Sequence, residues 1–132
     1  QVPYGCEPDY EPLYELKRHI NVPLIGNGGV TSFDEIQTRL KNLDGIMIGQ
    51  GAMGNPWVFS SNAPKSFKEK IPTIKKHVEL LIKYKGDKFG LLNARKHLLS
   101  YIKGIEGASE TRRSLATAQT KEEVFRILDS LA

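Results

Sequence analysis

Few of the residues that staple or anchor a chain are present. A single cysteine, Cys6, excludes an internal disulfide framework and fits a reducing cytoplasm; a lone loop cysteine is more often a bystander than a nucleophile. The longest apolar runs, such as "GIMIG", are far too short to span a bilayer, and no signal-peptide pattern opens the chain. Internal repeats and low-complexity tracts are missing. His77 and His97 have no second ligand at a metal-binding spacing, so no metal site is expected. An initiator methionine is also missing. "QVPYGCEPDY" reads as the middle of a loop, and the expectation is a fragment of a longer protein.

What is present is an uneven charge. The net charge is +4, but residues 65–113 carry 13 Lys and Arg against 5 Asp and Glu, while the residues before and after are slightly acidic. Such a block points to a polyanionic partner, with nucleic acid the first candidate; a solvated lysine-rich helical surface is the bland alternative.

The first half alternates helix and strand. "PDYEPLYELKRHI" places Leu13, Leu16 and Ile20 at helical spacing with Tyr10 and Tyr14 beside them. "VPLIG" (22–26) and "GIMIG" (45–49) are apolar throughout, as buried parallel strands are. Between them Ser32 and Glu35 form a capping-box pattern ahead of Phe33, Ile36 and Leu40. "GAMGNPWVF" reads as a short apolar helix, with Trp57 and Phe59 in the core. This order belongs to an α/β sheet or barrel, and two strands cannot bury both faces of one alone.

Residues 60–72, polar with two prolines, read as a linker. Beyond them the period is helical only. One helix carries Ile74, Val78, Leu81 and Ile82 and stops at Gly86; a second carries Phe89, Leu92, Leu99 and Ile102 and ends at Gly104. "ASETRRSLATA" is a third, and "TKEEVFRILDSL" opens on a Thr120–Glu123 capping pattern. The basic block therefore falls on a small all-α bundle. The expected domains are residues 1–62 and 63–132.

Asn27-Gly28-Gly29 follows the first strand and Gly49-Gln50-Gly51 the second. Turns at the carboxyl ends of adjacent parallel strands occupy the edge where ligands bind. Glycines there let backbone N–H groups approach a phosphate. Neither turn matches the dinucleotide fingerprint or a P-loop, which leaves a mononucleotide-type cofactor or a phosphorylated substrate.

"VPLIGNGGVTSFDEI…LDGIMIGQGAMGNPWVF" with "RKHLLSYIKGIEGASETRR" resembles the C-terminal part of the tRNA-dihydrouridine synthases. The likeness rests on Asn27-Gly28-Gly29-Val30, on Asp44 through Trp57, and on Arg95-Lys96-His97 with Tyr101, Lys103 and Gly104; Gln1, Gly5 and Asp9 fit the family's loop after strand 6. It implies strands 7 and 8 of an FMN-binding (β/α)₈ TIM barrel followed by a helical tRNA-binding domain. Asn27, Gly28, Gly29, Gly49, Gln50 and Gly51 would line the FMN phosphate site. Arg95, Lys96, Lys103, Arg112 and Arg113 would be the RNA-binding candidates. Arg95 has a second reading as a bracket between helices, and adjacent Arg112 and Arg113 cannot share one helix face.

In that family NADPH reduces the flavin, hydride passes to C6 of a flipped-out uridine, and a cysteine in an N-x-G-C-P loop protonates C5. That motif is absent here, as are the barrel's earlier strands, so no catalytic residue is assigned and the missing N-terminal barrel is an implied partner. The family often has Asp at Gly29 and Arg at Gln50; without that Arg, a charge-assisted contact of about 1.5–3 kcal/mol is lost. The chain alone is expected to bind FMN poorly and reduce no uridine. Two alternatives stand beside this reading: a non-catalytic RNA-binding module, and another phosphate-binding barrel with an oligomerising tail.

Overall fold

The computed structural model describes residues 7–132; Gln1, Gly5 and Cys6 lie outside the described residues. The chain divides into two compact units, one ending at Ala63 and one running Pro64–Ala132.

In the first unit, helix α1 (Glu11–His19) carries Glu11 in its first turn and Lys17, Arg18 and His19 in its last, each sign at the helix end that favours it. Strand β1 (Ile25–Asn27) pairs in parallel with β2 (Gly45–Met47), Gly26 opposite Ile46. Helix α2 (Phe33–Leu40) makes the crossover. Its predicted capping box is present: Ser32 Oγ accepts from Glu35 N at 3.3 Å, and the Glu35 carboxylate accepts from Ser32 N at 3.2 Å.

The core of this unit is built on Tyr10, Tyr14 and Leu43, with Leu13, Leu24, Leu40 and Ile46 against it. This shifts the expected face of α1, since Leu16 is exposed and the tyrosines are buried. The tyrosines win because their hydroxyls find acceptors inside: Tyr10 Oη donates to Gly28 O at 2.9 Å and Tyr14 Oη to Arg39 O at 2.8 Å.

The strands themselves are not buried as read from their composition. Ile25 is 53% and Met47 55% exposed, while Gly26 is buried between them. Side chains of a strand alternate between faces, and these two point away from the side that Tyr10 and Leu43 cover. After β2 the chain forms two 3₁₀ turns, Gln50–Ala52 and Pro56–Phe59, rather than one helix. Gly54, at φ +72°, and Pro56 interrupt it; Val58 is buried and Phe59 is exposed.

The second unit is four helices. α3 runs Phe67–Lys85, so it takes in residues 67–72, the second half of the stretch read as a linker. Ser66 Oγ caps Glu69 N, and the Glu69 carboxylate accepts from Lys65 N at 3.0 Å. These caps start the helix upstream of Pro72, which sits in its second turn at the cost of one backbone bond. Gly86, at φ +77°, stops α3 as its sequence position predicted.

α4 (Asp87–Tyr101) buries Gly90, Leu91, Ala94, Leu98 and Tyr101; of the expected Phe89, Leu92, Leu99 and Ile102, only Ile102, just past its end, is fully buried, while Phe89 and Leu92 are exposed. The phase is set by Gly90: a Cβ there would lie 2.5 Å from Ile82 Cα and 2.7 Å from Leu81 O, so the two backbones touch at this point. A helix pinned by a glycine contact turns Phe89 and Leu92 outward. α5 (Ala108–Thr117) and α6 (Lys121–Asp129) complete the bundle; Ile74, Ile102, Leu115, Val124 and Leu128 are fully buried. Lys75 Nζ meets Asp129 Oδ1 at 2.6 Å, tying α3 to α6. Among the described residues, no helix is long and apolar enough to cross a membrane.

Candidate phosphate cradle and nucleic-acid interface

The two glycine turns come together. Asn27 to Thr31 and Met47 to Gly51 line one cavity of about 290 Å³ at the carboxyl ends of β1 and β2. Every one of the six predicted cradle residues is among them. The turns close against each other at Gly51, where a Cβ would strike the Val30 carbonyl oxygen. No larger residue fits there without moving the turn. Gly28 and Gly29 hold φ of +130° and +64°, conformations that favour glycine, and a Cβ on Gly29 would also meet the Pro8 ring at 2.7 Å.

Backbone N–H groups of both turns border this cavity. The Tyr10 hydroxyl holds the Gly28 carbonyl toward the core. In a trans peptide the N–H points opposite to its carbonyl, so the Gly29 N–H is turned away from the core. Gln50 and Gly51 open a 3₁₀ turn whose hydrogen bonding starts at Ala52 N to Gly49 O, which leaves their own N–H groups without a partner within the turn. Around Gly49 a Cβ would meet nothing within 4 Å. The lining contains no charged side chain. Arg39 stands beside Gly29, but its guanidinium is engaged by Glu7 Oε1 at 2.8 Å and stacks 5.2 Å over Tyr10.

The residue that sequence reasoning missed is Tyr10. It orients the first turn from beneath, and its only signal was an aromatic directly after Asp9 at a helix start. Burial raises the Tyr10 hydroxyl above its ordinary pKa, with the Arg39 charge opposing. Glu35 is held below the usual carboxylate range, chiefly by the Thr31 N–H donating to it at 2.6 Å, so the cap that follows the cradle is charged at neutral pH.

In the helical unit, Lys96, Lys103, Arg112 and Arg113 are exposed. Arg95 is not placed with them. Its Nη2 donates to Ala118 O at 2.8 Å, bracing α4 against the end of α5, and its Nε is buried without a partner among the described residues. Of the two readings of Arg95, the bracket describes its observed contacts. His77 and His97 lie ring to ring at 4.7 Å, and His77 Nδ1 is 3.2 Å from Tyr101 Oη. Burial, and then the neighbouring His97, lower the His77 pKa.

A glycine-lined cavity at the carboxyl ends of two parallel strands, followed by a basic helical unit, defines an α/β segment with a cationic all-α tail. The comparisons with known proteins make the class specific. Residues 4–132 match the family described as "Dihydrouridine synthase (Dus)", and the chain belongs to that family. It is 30% identical over 141 residues to a probable tRNA-dihydrouridine synthase of Mycobacterium tuberculosis, covering 97% of this chain and 36% of that protein. It is 31% identical over 134 residues to tRNA-dihydrouridine synthase B of Pasteurella multocida, covering 92% of this chain and 40% of that one. A probable tRNA-dihydrouridine synthase of Rickettsia conorii is 31% identical over 122 residues, 83% of this chain and 37% of that protein. The chain thus spans well under half the length of these curated relatives.

Proposed function

We propose that this chain forms the phosphate-holding end of a flavin site and the RNA-holding helices of a cytoplasmic tRNA-dihydrouridine synthase. The observation that carries the reading is the pair of glycine turns closing on one cavity with backbone N–H groups left uncommitted. A phosphate suits that geometry: the space is small, and the residues whose N–H groups lack a partner in the turns border it. In this reading the N–H groups of Gly29, Gln50 and Gly51 hold the FMN phosphate, with the Asn27 and Gln50 side-chain amides beside them. When bound, FMN reduced by NADPH supplies the hydride that turns uridine into dihydrouridine. The residues of this chain bind and orient; the chemistry belongs to sequence outside it.

The remaining strands of a (β/α)₈ barrel are the partner that suits the first unit. Support comes from the exposed Ile25 and Met47 and from the outer edge of each strand in a two-stranded sheet, surfaces that further strands would cover. One observation favours the second reading, an RNA-binding module without flavin: no cation lines the cradle.

Titration of the chain with FMN and with tRNA separates the two. The expected result is weak FMN binding that Gly51→Ala abolishes, together with tRNA binding whose logarithm falls against log salt with a slope of roughly −3, as for three or four phosphate contacts. Loss of FMN binding altogether leaves the RNA module. Absence of tRNA binding at low salt refutes both. Dihydrouridine formation by the chain alone would overturn the assignment of the chemistry to other sequence.

A further inference from the structure

The α3–α4 pair carries a surface that the phosphate-contact cations leave unexplained. Tyr84 is 76% and Phe89 64% exposed, one on each side of the single-residue joint at Gly86. Helical spacing puts Tyr84 on the stripe of His77, seven residues earlier, and Phe89 on the stripe of Asn93 and His97. These stripes run side by side, because His77 and His97 are in ring contact at 4.7 Å and Lys85 Nζ reaches Asn93 Oδ1 at 3.3 Å. Four rings therefore border one seam, with Tyr84 and Phe89 at its open end.

The charge around the seam has one sign. Lys83, Lys85 and Lys96 belong to this stretch, Arg95 being spent on the Ala118 carbonyl, and Asp87 is the one carboxylate between residues 80 and 105. Lys85 and Lys96 are exposed there, and Lys83 Nζ lies 5.7 Å from the Tyr84 ring centroid. Exposed aromatic faces set among lysines are what single-stranded nucleic acid needs: rings on which bases stack and cations that follow the backbone. A wholly apolar partner would leave those ammonium groups without counter-charge.

We propose that the α3–α4 seam is a stacking platform for unpaired bases of RNA, with Tyr84 and Phe89 as the stacking rings and Lys85 and Lys96 on the flanking phosphates. This rests on the RNA-holding role proposed above and adds a preference that charge alone does not give, for unpaired over duplex RNA.

The test is fluorescence anisotropy of the chain with a labelled single-stranded RNA and with its duplex, using Tyr84→Leu, Phe89→Leu and the corresponding tryptophan variants. Both positions are exposed, so folding is unaffected, which circular dichroism checks. Each leucine variant is expected to weaken single-strand binding roughly 5- to 100-fold, to leave the salt slope unchanged, and to erase the preference over duplex. Tryptophan should restore it. If leucine binds RNA as well as wild type while Lys103→Ala still lowers the salt slope, the stacking proposal fails and the RNA-holding role stands. If the chain binds no RNA, both fail. If the leucine variants instead abolish self-association or binding of an acidic protein, the surface is a protein interface and the proposal is overturned.

Discussion

Replacing Gly90 by alanine sets two effects of opposite sign against each other. Alanine is the better helix former, and in an isolated helix the change would stabilise α4 by about 1 kcal/mol. In this bundle the new methyl would fall 2.5 Å from Ile82 Cα, 2.7 Å from Ile82 N and 2.7 Å from Leu81 O. All three are backbone atoms, so no side chain can rotate away. Carbon atoms pack at about 3.5–4.0 Å, so α3 and α4 must part by roughly 1 Å, forfeiting a quarter to a half of the dispersion energy across their contact. Overpacking of this kind costs about 1–3 kcal/mol, and contact with rigid backbone lies at the upper end. The net expectation is a loss of about 2 kcal/mol, or roughly 10 °C in Tm for a unit of this size. Thermal and urea unfolding followed at 222 nm read it directly. Gly86→Ala is the comparison: its Cβ meets nothing within 4 Å, so its cost is the backbone strain of φ +77°, ψ 165° alone, about 1–3 kcal/mol, without parting the helices. A Gly90→Ala protein as stable as wild type would show that the helices do not touch at this glycine, and with it the phase assigned to α4 would fall.

Further outcomes follow from single contacts. Tyr10→Phe removes the hydroxyl that holds the Gly28 carbonyl and should cost about 1 kcal/mol by denaturant titration, with weaker binding of inorganic phosphate at the cradle. Because the folded-state pKa of Tyr10 is raised, its contribution is intact below pH 10 and is lost as pH climbs above it; the phenylalanine variant should lack that alkaline loss. His77 has the opposite sign for a base: its folded pKa is lowered, so stability holds above about pH 6.5 and declines as pH falls below it, a decline that His77→Asn should flatten in a pH series of unfolding midpoints. Arg95→Met should destabilise the helical unit by about 1–3 kcal/mol, by leaving the Ala118 carbonyl without its donor, while barely changing the salt slope of RNA binding. A slope reduced by one would return Arg95 to the phosphate-contacting cations.

Much of the candidate site could be read along the chain because it is local. A glycine pair after an apolar run and a Ser-x-x-Glu cap are determined by neighbours a few residues apart, and they recur in the structure where their spacing put them: Gly28 and Gly29 at positive φ, Ser32 and Glu35 in a reciprocal cap. Gly86 ended α3 for the same reason. Parallel pairing of β1 with β2 followed from the helix between them, since such a crossover brings the second strand back in the same direction.

What the sequence by itself could not determine was which side of each element faces inward, and which cations are left for a ligand. The apolar residues of α4 allow two adjacent stripes, and a contact with α3 at Gly90, eight residues beyond Ile82 along the chain but touching it in space, selected one and put Phe89 outside. Tyr10 and Tyr14 displaced Leu16 from the core of the first unit because carbonyls 18 and 25 residues away accepted their protons. Arg95 and Lys96 are neighbours of like charge, yet one spends its guanidinium on a carbonyl of the next helix and the other points to solvent. Periodicity and turn chemistry are properties of the chain; the choice of face and the partner of a charge depend on what packing brings near, and only the tertiary structure decides them.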